Sequence, residues 1–154
     1  MNDSTLPRGL QIGSLLTLIT GIFVLSVGTY FFVMLYAGIA HPAQPWRSGR
    51  FGPSPYSLND VKACSPAVAT DLVRAQHIEL AHMMNSGFAA ALITVLGLRR
   101  RQKWAWYALL AIFLWVGLND AVAVLRAGQP PVPLIPGIIG LTGLFIARRS
   151  IFGG

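Results

Sequence analysis

A small set of polar side chains interrupts long apolar stretches of this sequence, and these residues are the ones best suited to do chemistry. Glu79, His82 and Asn85 follow one another at intervals of three, so a helix would carry them on one face. Asn119 and Asp120 stand together in another apolar stretch. A carboxyl group beside an imidazole, shielded from water, can give or take a proton. If the protein is an enzyme, the pattern therefore predicts Glu79, His82 and Asp120 as its catalytic residues.

Similar side chains can hold a ligand without reacting with it, or can simply join helices. For ligand binding, the predicted contacts come from side chains with hydrogen-bonding groups: Tyr30, His77, Asn85 and Asn119. In the structural alternative, polar groups inside a membrane bundle form hydrogen bonds between helices, worth about 0.6–2 kcal/mol each. All three roles fit the residue types, so the choice among them depends on where the helices place the side chains.

The elements that must position these residues are four stretches suited to cross a bilayer, which takes about 20 apolar residues. Charged side chains are absent from residues 9–46, 80–98 and 127–147, and Asp120 is the only one in 104–125. We therefore predict one all-α domain over residues 1–154, a four-transmembrane-helix bundle. Its predicted spans are residues 10–36, 78–98, 104–125 and 132–147. A long structured extracytoplasmic loop, about 37–77, separates the first two.

Composition agrees with a membrane protein and excludes several other classes. Of the 154 residues, 54% are hydrophobic and 11% are charged, against roughly a quarter charged in soluble domains. The chain is therefore not a disordered tail, a coiled coil or an ordinary soluble enzyme domain. Its net charge of +7 comes from basic residues that flank the apolar stretches. Because they form no basic-aromatic groove pattern, nucleic acid is not a predicted partner.

The distribution of basic residues predicts the topology. Arg99, Arg100, Arg101 and Lys103 lie in one short link, and Arg148 and Arg149 follow the last stretch. Short basic links stay in the cytoplasm, so both termini are expected there, in an inner (plasma) membrane. The loop begins with a proline-rich part that should be irregular or extended. Ser65-Pro66 then resembles a helix start, and Cys64, the only cysteine, lies just before it on the outer side.

The short link also predicts how far along their helices the polar residues lie. His82 lies 16 residues before Leu98, and Asp120 lies 16 residues after Trp104. Both are then about 24 Å from the link, at 1.5 Å per residue. Because a link this short makes its two helices antiparallel neighbours, His82 and Asp120 are expected at one level. The resulting set, called the outer polar layer, consists of Tyr30, Glu79, His82, Asn85, Asn119 and Asp120.

A metal site is the remaining chemical alternative. Glu79 and His82 have the Glu-x-x-His spacing of carboxylate di-iron bundles, but those sites need two such motifs and further glutamates. Glu79 is the only glutamate of this chain, and His77 and His82 are about 140° apart around a helix. We therefore predict no metal and no cofactor. The glycines Gly137, Gly140 and Gly143 predict close helix packing inside the bundle.

The segment from Arg99 to Leu110, Arg-Arg-Arg-Gln-Lys-Trp-Ala-Trp-Tyr-Ala-Leu-Leu, resembles a basic turn followed by Trp-Ala-Trp found in small four-helix bacterial integral membrane proteins. More distantly, four spans with a polar outer layer look similar in architecture to the sterol-isomerase (emopamil-binding protein) superfamily. In that superfamily His, Glu and Asn side chains line an intramembrane sterol pocket. The resemblance implies His77, Glu79 and Asn119 as the matching residues and isomerisation of a lipid-like substrate as the reaction.

Three functions follow as expectations. The first is a small polytopic membrane protein that binds a lipophilic small molecule or a partner membrane protein through the outer polar layer. The second is a membrane-embedded enzyme that performs acid–base, isomerase-like chemistry on a lipid-like substrate. The third is an accessory subunit of a membrane complex, which includes a homo-oligomer. All three share the lipid bilayer as the surrounding medium.

Overall fold

The computed structural model describes residues 6–36, 45–48, 52–127 and 134–153. These residues are mainly helical and include a short antiparallel pair of strands, in which Pro45 lies opposite Ser57 and Ser48 opposite Gly52. The elements in chain order are α1 (Arg8–Tyr36), β1 (Pro45–Ser48), β2 (Gly52–Ser57), α2 (Leu58–Cys64), α3 (Pro66–Leu96), α4 (Lys103–Ala127) and α5 (Leu134–Phe152).

Four of the helices, α1, α3, α4 and α5, are long and apolar enough to cross a membrane. This confirms the coarse prediction of an all-α chain with four candidate spans. The strand pair fits the expected extended start of the loop, and the other residues between 37 and 51 lie outside the described part. The last helix continues past the predicted residue 147 as far as Phe152, which places Arg148 and Arg149 inside it.

Local sequence signals explain the ends of α3. The Ser65 side chain accepts a hydrogen bond from the backbone N–H of Val68, and Pro66 occupies the first helical position, as the Ser-Pro pair predicts. At the other end, Gly97 and a 3₁₀ turn over Leu98–Arg100 lead to Arg101, whose φ is 57°. That left-handed residue reverses the chain into α4.

Helix α1 is the central helix, with α3 on one side and α5 on the other. Small residues let the backbones approach closely. A methyl group on Gly21 of α1 would lie 2.7 Å from the backbone nitrogen of Ala91 in α3. One on Gly143 of α5 would lie 2.8 Å from the carbonyl oxygen of Gly13. Gly137, Gly140 and Gly143 are all buried. A Cβ atom would lie 2.7 Å from the Phe113 ring at Gly140, but 3.8 Å from the Gly117 Cα atom at Gly137, so the close approach is found at Gly140 and Gly143 and not at Gly137.

Among the described residues, side-chain hydrogen bonds also join helices within this packing. The Thr94 hydroxyl of α3 donates to the Thr17 hydroxyl of α1 at 3.3 Å, and both side chains are fully buried. The Trp106 indole N–H of α4 donates to the carbonyl oxygen of Leu144 in α5 at 2.9 Å. Polar contacts therefore do connect these helices, but through residues that the sequence interpretation did not select.

The apolar core lies at the end of the helices where the basic residues are, which we call the basic end. Leu10, Leu98, Leu109 and Leu144 are fully buried there, with Trp106 beside them. The opposite end, from which the residues between α1 and α3 emerge, is called the loop end. Along α4, the last buried side chain toward the loop end is Phe113. The outer polar layer thus begins where the core stops.

Candidate functional site

Helix α3 carries Glu79, His82 and Asn85 on one face, as their spacing predicts, and all three side chains are exposed. Counted from Leu98, they lie about 20 to 28 Å from the basic end, at 1.5 Å per residue. Gly87, only two residues further along the helix than Asn85, is buried against α1. The polar row therefore points away from the central helix and lies on a lateral surface of the protein.

Helix α4 brings an acidic group to the same surface. The Asp120 side chain is partly buried, and Glu79 of α3 lies near it. This places α3 and α4 side by side at the level of the layer, in the antiparallel arrangement that the short link predicts. That the His82 side chain itself lies close to Asp120 stays a prediction.

The nearest basic residue on α3 does not neutralise these carboxyl groups. Arg74 lies 3.9 Å from Asp71, one turn away on the same helix, and both side chains are largely exposed. Among the described residues, neither Glu79 nor Asp120 takes part in an ion pair. The acidic pair is therefore suited to accept hydrogen bonds or a positive charge from a partner molecule.

The remaining candidates are more dispersed. The Asn119 amide donates to the carbonyl oxygen of Trp115 in its own helix at 2.7 Å, which directs the amide along α4. Tyr30 on α1 is 59% exposed and packs edge-to-face on Phe31, with ring centroids 5.3 Å apart. Neither contact involves α3. A direct contribution of Tyr30 or Asn119 to the same site therefore stays a prediction.

His77 is placed differently from His82. Its half-buried ring packs edge-to-face on Phe32 of α1, with centroids 5.5 Å apart. The contact joins α1 and α3 near the loop end. His77 therefore packs against α1, and its contribution to ligand binding stays a prediction, whereas the exposed His82 is accessible from the side.

Two features of the site limit what it can do alone. In the part of the chain that the structure describes, no three His, Cys, Asp or Glu side chains come together in a way that could hold a metal ion. The exposed side chains of Glu79, His82 and Asn85 also form an open surface rather than an enclosed cavity. A molecule bound on this surface must therefore enclose the polar side chains itself, because the protein leaves them open on the outer side.

The sequence did not predict another surface feature, which lies on α5. A shallow groove follows α5, lined by Ile138, Leu141, Thr142, Phe145, Ile146 and Arg149. It continues toward the basic end along Arg148, Phe152 and Gly153. The sequence carries a signal for it, since two arginines end an apolar helix, but the topology rule alone already explains those arginines.

Comparison with known proteins gives no further guidance, because no family model matches the chain and no match was found among curated proteins or solved structures.

Proposed function

We propose that this chain is a multi-pass inner (plasma) membrane protein that binds another membrane protein laterally through its outer polar layer. In this proposal α1, α3, α4 and α5 form a four-helix bundle, both termini are cytoplasmic, and the loop end faces outward. The partner is a protein with a transmembrane helix, and a second copy of the chain is included in that class.

The observation that carries the proposal is the exposure of Glu79, His82 and Asn85 within the length of a membrane span. Ionisable groups that face hydrocarbon are costly, so they mark functional surfaces in membrane helices. A partner helix that supplies hydrogen bonds to them relieves that cost. The open geometry favours such a helix over a lipophilic small molecule, which binds in concave, enclosing sites.

Photo-crosslinking tests the proposal while every layer residue stays intact. Benzoylphenylalanine replaces Leu118, which is 60% exposed and adjacent to Asn119, or Phe23 of α1, which is 53% exposed, as the matched control. Both positions lie about 20 Å along their helices from the basic end. We expect a protein adduct of one discrete mass from position 118 and none from position 23. Glu79→Gln with His82→Ala should abolish it.

Each other outcome of this experiment contradicts the protein partner. Lipid adducts of equal yield at both positions would show that the layer faces ordinary bilayer. An adduct of one small-molecule mass at position 118 would replace the protein partner with a lipophilic ligand. That result would favour an enzyme in which the Glu79 and Asp120 carboxyl groups act as acid and base.

The topology has a separate test, which uses the single cysteine. Cys64 is exposed at the end of α2. We expect a membrane-impermeant maleimide to label it in intact cells or spheroplasts. A Cys64→Ser, Gln102→Cys variant moves the thiol to the basic turn and should be labelled only after lysis. The reverse pattern would invert the proposed orientation.

A further inference from the structure

The groove on α5 lies between two ridges of side chains along the helix. Ile138, Thr142 and Ile146 form one ridge at intervals of four, and Leu141, Phe145 and Arg149 form the other. From Ile138 to Arg149 the groove is about 16 Å long, at 1.5 Å per residue. That length matches half of a ~30 Å hydrocarbon core, which is the depth of one leaflet.

One end of the groove is strongly basic. Arg148 and Arg149 are both exposed where it continues toward Phe152 and Gly153. The Lys103 ammonium of α4 lies 5.8 Å from the centroid of the Phe152 ring, which adds a third cation beside it.

No acidic residue offsets this charge in the neighbouring sequence. Asp and Glu are absent from residues 80–119 and from 121–154, which include the basic turn, the first half of α4 and all of α5. The arrangement differs from that of Arg74, which has Asp71 3.9 Å away. The basic end of the groove is therefore complementary to an anion, whereas the rest of it is complementary to hydrocarbon.

We propose that the α5 groove binds an anionic glycerophospholipid. Its phosphate contacts Arg148 and Arg149, and one acyl chain lies between the two ridges toward Ile138. Arginine matches phosphate through paired N–H donors, and basic pockets beside membrane helices bind anionic headgroups. This site is on a different helix from the outer polar layer and does not depend on what that layer binds.

The test is native mass spectrometry of the purified full chain in detergent, titrated with dioleoylphosphatidylglycerol or dioleoylphosphatidylcholine. We expect preferential binding of phosphatidylglycerol. Arg148→Gln with Arg149→Gln should weaken it about thirtyfold, since each arginine contributes about 1 kcal/mol near a headgroup. Arg100→Gln with Arg101→Gln removes the same charge from the basic turn and should change the affinity less than threefold.

Two further arms separate a lipid site from simple attraction between charges. Thr142→Trp fills the groove without changing its charge and should weaken phosphatidylglycerol binding at least fivefold. Inorganic phosphate at millimolar concentration should not displace the lipid. Unchanged thermal unfolding temperatures would show that each variant is folded.

Four results would overturn the proposal. The first three are equal affinity for the two lipids, equal losses in the two arginine pairs, and displacement of the lipid by inorganic phosphate. The fourth concerns the acyl chain. If Thr142→Trp alone has no effect on a folded variant, the acyl chain does not lie in the groove and the proposed site is wrong.

Discussion

The basic end and the loop end of the four long helices are built in opposite ways. At the basic end, glycine contacts bring α1 against α5, and fully buried leucines surround Trp106. Toward the loop end, the described part of α4 buries no side chain after Phe113, and Trp115 and Leu125 are 70% and 84% exposed. The polar residues lie in the second region.

This difference suggests a division of roles along the helices. Close packing at the basic end contributes dispersion contacts and excludes polar groups that lack hydrogen bonds. Toward the loop end, α1 and α3 stay in close contact, since a Cβ atom on Gly28 would lie 3.0 Å from the Met84 side chain. Helix α4 contributes little packing there, so its side chains can be arranged for a partner without loss of the core. The four predictions below test that division, beginning with the largest expected effect.

Leucine at a packed glycine should be far more damaging than leucine at an open one. A Cβ atom at Gly143 would lie 2.7 Å from the Leu16 Cβ atom, whereas one at Gly117 would have no neighbour within 4 Å. We expect Gly143→Leu to lower the free energy of unfolding by about 3 kcal/mol. Gly117→Leu should leave it unchanged or raise it by a few tenths of a kcal/mol. Unfolding by SDS in dodecylmaltoside measures both, and equal losses would contradict the division.

Trp106→Phe should have the next largest effect. The change removes the indole N–H that donates to the Leu144 carbonyl oxygen at 2.9 Å and leaves that buried oxygen without this donor. We expect a loss of about 1.5–2 kcal/mol in the free energy of unfolding. Trp104, only two residues away and 55% exposed, supplies the control. Trp104→Phe should lower the free energy of unfolding by less than about 0.5 kcal/mol. A similar loss in both variants would show that Trp106 is not part of the packed core.

Thr94→Val tests the polar contact between α1 and α3. It keeps the side-chain shape but removes the hydroxyl, which lies 3.3 Å from the Thr17 hydroxyl and 2.7 Å from the Ala90 carbonyl oxygen of its own helix. We expect a loss of about 1 kcal/mol, the usual range for hydrogen bonds between membrane helices. Thr142, which is exposed and bonds only within its own helix, is the matched control and should tolerate valine. An unchanged unfolding curve for Thr94→Val would show that packing alone joins these helices.

The smallest effect should come from the outer polar layer. The Glu79 side chain is exposed and the Asp120 side chain is only partly buried, so Glu79→Gln and Asp120→Asn should each change the free energy of unfolding by about 0.5 kcal/mol or less. The double variant should likewise stay within about 1 kcal/mol of the parent protein. A double-mutant cycle in detergent measures this. A loss above 1 kcal/mol in either single variant would mean that the layer holds the helices together.

Part of this picture can be obtained from residue order alone. The four apolar stretches, the Ser65-Pro66 start of α3 and the common face of Glu79, His82 and Asn85 depend on local spacing and length. The antiparallel placement of α3 and α4 follows from a link too short for any other arrangement. These features are local because helical hydrogen bonds join residues four apart in the chain.

The rotation of each helix about its axis depends on its neighbours, and spacing does not reveal it. Trp104, Trp106 and Tyr107 all follow the basic turn at the start of α4. Of the three, only Trp106 is buried, and its indole N–H donates a hydrogen bond to α5. His77 and His82 share one helix, yet His77 packs on Phe32 and His82 is exposed.

The sequence by itself therefore determined that this chain has four membrane-length helices and which polar residues lie within them. Only the tertiary structure decided that Thr17 and Thr94 are buried between helices and that Glu79, His82 and Asn85 form an open surface. The physical reason is that burial in a helix packing depends on close approach at glycines such as Gly21 and Gly143, and each approach involves residues far apart in the chain.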